Sequence, residues 1–321
     1  MMPRHMFRAV VLVALLLGIR ATAATTTDAL TVYHAIVGEE RDYTVRSGDS
    51  LWSITGRLTM SAAYLKTLND IPTPDRLAPG TRLRVSDRHI VPSRGRDGIV
   101  INLSDRTLYW FVNGVLRARF PVGIGRNGWE TPAGHYRIVG RREDPIWHVP
   151  PSIQAEMRAQ GAEVVTTVGV GPDNPLGKYW IQLSVPGYGL HGTNAPASIG
   201  KYATHGCLRL LPDHVERLFR EAPDGTRVDV IIEPVKLAVA PTGGVFLEVH
   251  PDAYHNNRVD RDRIRLGIEL SGIADSVDWD RVDEAIGHAW GTPEEVTRSA
   301  TPPSLMAPAE AGMVQGDAPL P

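Results

Sequence analysis

The chain of 321 residues contains one cysteine, Cys207, so no disulfide can form within it. Its fold must therefore rest on the burial of apolar side chains and on hydrogen bonds. The hydrophobic fraction of 42% and the charged fraction of 22% are those of an ordinary globular protein, and the length accommodates two domains. The formal net charge of −2 argues against strong attraction to phosphate groups, so no nucleic-acid partner is expected.

Residues 1–23 have the pattern of a secretory signal peptide. Arg4 and Arg8 supply a positive region, residues 9–18 an apolar region, and Ala21-Thr22-Ala23 a small-residue cleavage motif. Ten apolar residues are too few for a membrane-spanning helix, which needs about twenty. The sequence therefore predicts an exported, periplasmic protein without a membrane span. In such a protein a lone cysteine indicates a free and reactive thiol.

Residues 42–86 are predicted to form a compact module of strand, helix, helix and strand, after a polar linker at 24–41. Ser50 precedes apolar residues at helical spacing, and Ser61 precedes a second such run. Both serines are therefore predicted to cap helices. The polar and basic segment 87–97 is interpreted as a linker between domains.

Residues 98–233 are predicted to form a second domain, which is mainly β. Asn113-Gly114 between two apolar runs predicts a tight hairpin turn, because both residues tolerate positive φ. Pro212 suits the first position of a helix, and another short helix is predicted around 151–160.

The C-terminal part of the chain divides by composition. Residues 234–291 are interpreted as an extension with a strand at 245–249 and a helix at 277–288. Residues 292–321 are rich in Pro, Ala, Ser and Gly, and are predicted to be a disordered tail.

The chemistry of the chain is predicted to centre on Cys207, which follows His205 by two residues and His191 by sixteen. An imidazole can accept the proton of a thiol and so produce the nucleophilic thiolate. Gly206 lets the backbone approach a substrate closely, and the N–H groups of Gly206 and Cys207 are suited to stabilise a developing oxyanion.

On spacing alone, other interpretations stay open. A lone cysteine is often a small buried hydrophobe, and a lone histidine is often an ordinary core residue. His191, His205 and Cys207 are also capable of binding zinc, but no fourth ligand completes a tetrahedral set. A serine triad is disfavoured because the chain has no Gly-x-Ser-x-Gly motif.

Two stretches of sequence resemble known families. The first resembles a LysM module, which binds N-acetylglucosamine chains of peptidoglycan, and the matching residues are Tyr43-x-Val45, Gly48-Asp49-Ser50-Leu51-Trp52-x-Ile54, Leu65, Asn69, Leu77, Gly80 and Leu83. The second resembles the catalytic domain of YkuD-type L,D-transpeptidases, in the periplasmic ErfK/YbiS-like branch. Its matching stretches are 131–134, 173–177, 191–194, 198–200 and 204–210. The implied fold class is α+β, mainly β: a βααβ LysM module followed by a β-rich, sandwich-like catalytic domain.

The resemblance implies a role for each matching site residue. Cys207 would be the nucleophile, His191 the general base, and the Gly192 carbonyl the group that orients His191. His205 and Gly206 would contribute to an oxyanion hole. Residues Arg209, Thr193 and Thr204 would bind substrate.

The resemblance also implies a reaction. Cys207 would attack the amide between the third residue of a stem tetrapeptide and its terminal D-Ala, and an amine would then resolve the thioester. The product is a 3→3 crosslink or a lipoprotein attached to peptidoglycan, without any metal or organic cofactor. Acylation by carbapenems is also implied. The alternatives are an L,D-carboxypeptidase, an amidase that releases a tethered lipoprotein, and a non-catalytic LysM wall-binding protein.

Overall fold

The computed structural model describes residues 29–72, 77–251, 253–255 and 259–299. The predicted signal peptide lies outside the described residues, and so do residues 300–321 of the predicted tail. No helix within the described ranges combines the length and apolar character that a membrane crossing requires.

The first part of the described chain contains the predicted strand–helix–helix–strand module. Its helices begin where the sequence predicts: Ser50 and Ser53 each accept a hydrogen bond from the other's backbone N–H, and Ser61 Oγ accepts from the Tyr64 N–H at 3.0 Å. Leu51, Ile54 and Leu65 are buried between the helices and the strands. The elements of this part are β1 (Val32–Tyr33), β2 (Ile36–Val37), β3 (Glu40–Thr44), α1 (Leu51–Leu58), α2 (Ala62–Asn69), β4 (Arg82–Ser86) and β5 (His89–Ile90).

The next part is β-rich, as predicted. Its elements are β6 (Gly98–Asn102), β7 (Thr107–Val112), β8 (Val115–Pro121), β9 (Ile124–Gly125), β10 (Gly134–Glu143), β11 (Trp147–His148), α3 (Pro151–Ala159), β12 (Thr167–Val168), β13 (Tyr179–Leu183), β14 (Gly189–His191), β15 (Tyr202–Thr204), β16 (Leu208–Arg209), α4 (Pro212–Glu221) and β17 (Arg227–Ile231), with a 3₁₀ turn at Pro196–Ser198. Asn113 and Gly114 have φ of 52° and 72°, so they form the predicted turn between β7 and β8.

Among the described residues, the largest sheet has the strand order β16-β14-β13-β10-β17-β6-β7-β8. The long strand β10 joins its two halves, since residues 134–137 pair with β17 and residues 138–143 pair with β13. The register shifts between Ile138 and Gly140, and such an irregularity bends a strand. The main core lies between this curled sheet and α4, whose Val215 and Leu218 are fully buried.

This topology brings the predicted site residues to one edge of the sheet. Strand β14 ends at His191, and β16 pairs with it in parallel so that Arg209 stands beside His191. Strand β15 pairs with β9 and leads directly into the segment that carries Cys207. Residues 124–125 therefore lie at the same edge of the sheet as residues 189–209.

The C-terminal extension folds as a second sheet covered by helices. It comprises β18 (Val235–Val239), β19 (Val245–Val249), α5 (Arg261–Leu270), α6 (Trp279–His288) and β20 (Pro293–Glu295), with 3₁₀ turns at Ala253–His255 and Ala274–Ser276. The sheet order is β1-β18-β19-β20. Strand β20 lies within the segment predicted to be disordered, and it is ordered because it pairs with Phe246–Glu248 and Val296 is fully buried.

The segments interpreted as linkers also carry structure. Residues 29–41 contain β1 and β2, and residues 87–97 contain β5. Strand β1 pairs with β18 in the C-terminal sheet, and β5 pairs with β2. These strands are two residues long and their partners are remote in sequence. The polar composition of the two segments therefore gives no indication of them.

The helical module is docked against the rest of the protein. A Cβ at Gly56 in α1 would collide with the Ile199 carbonyl, and one at Gly200 would collide with Gly56. On the other side, the Trp290 ring stacks on Tyr64 with centroids 4.9 Å apart, and its carbonyl accepts from the Ser61 N–H at 3.2 Å. Contacts at both helices therefore fix the module in place.

A buried polar group, here called the Lys236 cluster, connects the three parts of the chain. Its members are Lys236, Asp105, Glu248, His89 and His250, all of them buried. Lys236 Nζ lies 2.8 Å from a carboxylate oxygen of both Asp105 and Glu248. Glu248 Oε1 also lies 2.7 Å from His89 Nδ1 and 2.6 Å from His250 Nε2. Four of these residues, His89, Asp105, Glu248 and His250, have the spacing of a cation site, and the Lys236 ammonium supplies a positive charge there.

Candidate active site

Cys207 lies in a turn whose shape depends on Thr204 and Gly206. Gly206 has φ of +105°, and a Cβ there would lie 2.6 Å from the Tyr188 ring. Thr204 Oγ1 accepts from the Gly206 N–H at 3.1 Å and donates to the Cys207 carbonyl at 2.6 Å. Thr131 Oγ1 donates to the Gly206 carbonyl at 2.8 Å. Three hydrogen bonds with two threonine hydroxyls therefore fix the backbone of Gly206 and Cys207.

These bonds differ from the predicted oxyanion hole in one respect. The Gly206 N–H, predicted to donate to an oxyanion, is already bonded to Thr204 Oγ1. A threonine hydroxyl readily bonds a backbone N–H two residues further along the chain. In this conformation the Gly206 N–H is therefore not directed at a substrate. Thr204 both stabilises the turn and lines the groove.

His191 is buried at the end of β14, and its ring is oriented by its neighbour. Nδ1 lies 2.7 Å from the Gly192 carbonyl, which can only accept, so Nδ1 carries the proton. The other nitrogen, Nε2, then has a lone pair. Burial, and after it the charge of Arg209, lowers the pKa of His191 to about 4. At neutral pH the ring is therefore an uncharged proton acceptor.

Cys207 is half-buried, and its thiol is also uncharged at rest. Burial raises the pKa of Cys207 to about 11, although the Gly189 N–H and the Arg209 charge act in the opposite direction. The sulfur lies 3.6 Å from the Gly187 carbonyl, which accepts its hydrogen. The site thus holds a neutral thiol and a neutral imidazole rather than a preformed ion pair.

Arg209 is a charged residue of the site with one unpaired hydrogen-bond donor. Its Nη1 donates to Ser198 Oγ at 2.9 Å, and its buried Nε–H has no partner among the described residues. Burial lowers the pKa of this guanidinium from its usual value, but an arginine remains charged at neutral pH. Because Arg209 also lines the groove beside Cys207, its charge is suited to bind a carboxylate there.

A groove of about 720 Å³ opens beside Cys207. His191, Thr204, His205, Cys207 and Arg209 all line it, so the structure brings together five of the eight predicted residues there. The opposite wall comes from the 144–178 insertion between β10 and β13. Wall residues include Ile146, Trp147, His148, Ile153 and Leu176, followed by Trp180 of β13.

Thr193 does not lie on the groove. It lines a separate cavity of about 340 Å³ together with Gly192, and its Oγ1 accepts from the Ala195 N–H at 2.9 Å. The chain reverses after His191, so adjacent residues face different cavities. The role of Thr193 in substrate binding stays a prediction, and in this structure its hydroxyl accepts a hydrogen bond within the turn after His191.

Sequence reasoning missed the contacts behind His205. Glu156 of α3 lies 2.7 Å from His205 Nε2, and Arg126 contacts the same carboxylate. The sequence carries no signal for this cluster, because Arg126, Glu156 and His205 are separated by 30 and 49 residues.

Comparison with known proteins gives two family matches. The model of the L,D-transpeptidase catalytic domain, YkuD, matches residues 96–230, and the model of the LysM domain matches residues 43–86. Together the two matches cover the helical module and the β-rich part that carries Cys207.

Three curated proteins illustrate the likeness over longer ranges. The "Probable L,D-transpeptidase ErfK/SrfK" of Salmonella typhimurium is 35% identical over 68% of this chain and 73% of that protein. The "Probable L,D-transpeptidase YcfS" of Escherichia coli is 33% identical over 75% of this chain and 77% of its own length. The "Probable L,D-transpeptidase YbiS" of Escherichia coli is 35% identical over 67% of this chain and 71% of that protein.

Proposed function

The chain belongs to the L,D-transpeptidase family, and from that premise we propose that Cys207 carries an acyl group from a peptidoglycan stem peptide to an amine. The enzyme is an L,D-transpeptidase with a LysM module and a β-rich catalytic domain. The observation that carries the residue assignment is the uncharged pair of Cys207 and His191 on one groove.

In the first step, the Cys207 thiol attacks the carbonyl between the third residue of a stem tetrapeptide and its terminal D-Ala. His191 Nε2 accepts the thiol proton as the C–S bond forms. Because the pKa of the thiol lies near 11 and that of the imidazole near 4, proton transfer must accompany the attack. His191 then returns the proton to the departing amine, and D-Ala leaves a thioester on Cys207.

The developing oxyanion needs donors within the turn. The Cys207 N–H is the first candidate, and the Gly206 N–H becomes a second only if Thr204 Oγ1 releases it. Arg209, which lines the groove and carries a positive charge, is suited to bind a carboxylate of the stem peptide. These assignments divide the site into a reacting pair and a recognition group.

In the second step, an amine attacks the thioester, the C–S bond breaks, and His191 accepts the amine proton and passes it to the departing sulfur, which restores the thiol. A stem-peptide amine gives a 3→3 crosslink, and a lipoprotein lysine gives a protein tether. The groove beside Cys207 is about 720 Å³ and opens at the surface, which suits entry of an extended acceptor. Carbapenems, which carry a reactive carbonyl, are expected to acylate the same sulfur.

The LysM module supplies binding to glycan strands, and the signal-like residues 1–23 favour action in the periplasm. Because α1 packs against the 199–200 segment, a bound glycan strand would hold a constant relation to the groove. Substrate is then delivered to the site at a raised local concentration.

Incubation of the protein with disaccharide tetrapeptides, followed by mass spectrometry of the products, tests the proposal. We expect free D-Ala together with crosslinked dimers, and exchange products when a lysine-ended lipoprotein-tail peptide is added. Cys207→Ala should give neither product but should still sediment with peptidoglycan through its LysM module. Tripeptide and free D-Ala alone, under every acceptor condition, would identify a carboxypeptidase and reject the transferase.

A further inference from the structure

A carboxylate from α3 reaches the loop that carries Cys207. Glu156 Oε2 lies 2.7 Å from His205 Nε2, and Arg126 Nη2 contacts the other oxygen of the same carboxylate. Trp129 meets the His205 ring edge-on, with centroids 4.8 Å apart. Two separate segments of the chain, α3 and the 126–129 turn, therefore converge on a single imidazole next to the predicted nucleophile.

The chemistry of these groups decides where the proton lies. The hydrogen bond from His205, supported by the Arg126 charge, lowers the pKa of Glu156 below its usual range. An ionised carboxylate can only accept, so the hydrogen between the two groups belongs to His205 Nε2. Arg126 Nη2 lies 2.9 Å from the same nitrogen, but it can only donate, so its hydrogen bond goes to Glu156.

Glu156 contacts His205 from outside the groove. His205 and Ile153 line the groove in the described part of the chain, whereas Glu156 is absent from that lining. A partly exposed ion pair such as Arg126–Glu156 contributes little to the stability of a fold. Its position against His205 is therefore better explained by the site than by the core.

We propose that Glu156 is a positioning residue that fixes the His205 ring and keeps a proton on its Nε2. This inference rests on the proposed function, in which His205 assists acyl transfer to Cys207. The same bond joins α3 to the loop that carries Cys207. Loss of the carboxylate should slow the acylation step far more than it weakens donor binding.

The test uses the full chain and three variants. Glu156→Gln keeps an acceptor oxygen for Nε2–H, Glu156→Leu keeps the size without an acceptor, and Glu163→Gln removes an exposed carboxylate of the same insertion. Intact-protein mass spectrometry measures the single-turnover acylation of Cys207 by a disaccharide tetrapeptide. The donor concentration is varied, so that the saturating rate and the half-saturating concentration are obtained separately.

We expect Glu156→Leu to lower the saturating rate about 100-fold, because small misplacements of a catalytic group have effects of that order. Its half-saturating concentration should change by less than about twofold, since Glu156 does not touch the donor. Glu156→Gln should recover most of the rate, and Glu163→Gln should match the wild type. A wild-type rate in Glu156→Leu, or a loss confined to donor affinity, would overturn the proposal.

Nitrogen-15 NMR of the histidine side chains provides an independent measurement. Wild type and Glu156→Gln should show His205 with its proton on Nε2, and Glu156→Leu should show a mixture of tautomers. An unchanged Nε2–H signature in Glu156→Leu would also overturn the proposal. A wild-type protein that forms no acyl-enzyme would instead reject the proposed function, and the NMR result would still decide the role of Glu156.

Discussion

The Cys207 groove and the Lys236 cluster both bury titratable groups, but burial favours the uncharged forms in the groove, whereas ion pairing favours the charged forms in the cluster. In the cluster, burial alone would raise the pKa of Glu248, yet Lys236 and His89 outweigh it and hold that pKa well below the usual range. In the groove, burial prevails: it raises the pKa of Cys207 and lowers that of His191. The cluster holds paired charges, and the groove holds a neutral pair.

The pKa values shift differently because the cluster supplies charged side chains as partners, whereas the groove supplies backbone carbonyls. Glu248 and Asp105 share the Lys236 ammonium, and each distance to Nζ is 2.8 Å. His191 has a backbone carbonyl as the partner of Nδ1, and Cys207 has a backbone carbonyl as its acceptor. Buried charges that are fully paired hold parts of a fold together. An uncharged acid and base without ionic partners retain the capacity to exchange a proton.

Replacing the base should have the largest effect on the groove. His191→Ala removes the only proposed acceptor of the Cys207 proton, so transfer should fall about 10³-fold. The measurement is the rate of D-Ala release at saturating tetrapeptide. Circular dichroism should show a folded variant, since the change leaves the Lys236 cluster intact. Transfer within about tenfold of wild type would show that another group accepts the proton.

Removing the shared cation should have the corresponding effect on the cluster. Lys236→Met leaves Asp105 and Glu248 buried and facing each other, so the free energy of unfolding should fall by about 3–5 kcal/mol. Chemical denaturation measures it. Lys178→Met is the matched control, because the Lys178–Glu143 pair is exposed and should change that free energy by less than about 1 kcal/mol. Equal effects of the two variants would contradict the contrast between buried and exposed pairs.

Arg209 distinguishes recognition from chemistry within the groove. Arg209→Lys keeps a positive charge but loses the planar guanidinium, so the KM for tetrapeptide should rise about tenfold. Ser198→Ala removes only the oxygen that accepts from Arg209 Nη1, and a smaller rise is expected. Steady-state kinetics check both. A fall in kcat with unchanged KM would place Arg209 in the chemical step instead.

The pH dependence of stability should be the smallest effect. The pKa values of Asp105 and Glu248 are held down in the folded cluster by Lys236, against burial, and burial lowers that of His250. The unfolded chain therefore binds more protons, and stability falls as the pH drops below about 6.5, the ordinary value for histidine. Thermal unfolding at pH 7.5 and 5 should show a decrease of about 5 °C. A Tm that is unchanged or higher at pH 5 would contradict the conclusion that the unfolded chain binds more protons than the folded one.

Features that depend on neighbouring residues were accessible from the sequence. The caps at Ser50 and Ser61 and the turn at Asn113-Gly114 depend on side chains within three residues, and the structure contains all of them. The fold class was also predicted correctly. Cys207 and His191 line one groove, the pairing of β14 with β16 places His191 beside Arg209, and the motif resemblance covered all three residues.

Features that depend on distant contacts were not accessible. Lys236 lies in an apolar strand, where its charge gives no sign of the carboxylates 131 and 12 positions away. Glu156 lies in a helix that carries no motif, and strand β20 lies in a segment with the composition of a tail. In each case the long-range partner, rather than the local sequence, determines the role of the residue.

The resting charge of Cys207 is the most direct test of the neutral pair proposed for the groove. The rate of alkylation of the single thiol by iodoacetamide, followed by mass spectrometry from pH 5 to 10, reports how much thiolate is present. A neutral pair predicts a rate that rises throughout this range without a plateau, as a thiol pKa of about 11 requires. A plateau above about pH 7 would reveal a thiolate paired with protonated His191 and would contradict the account.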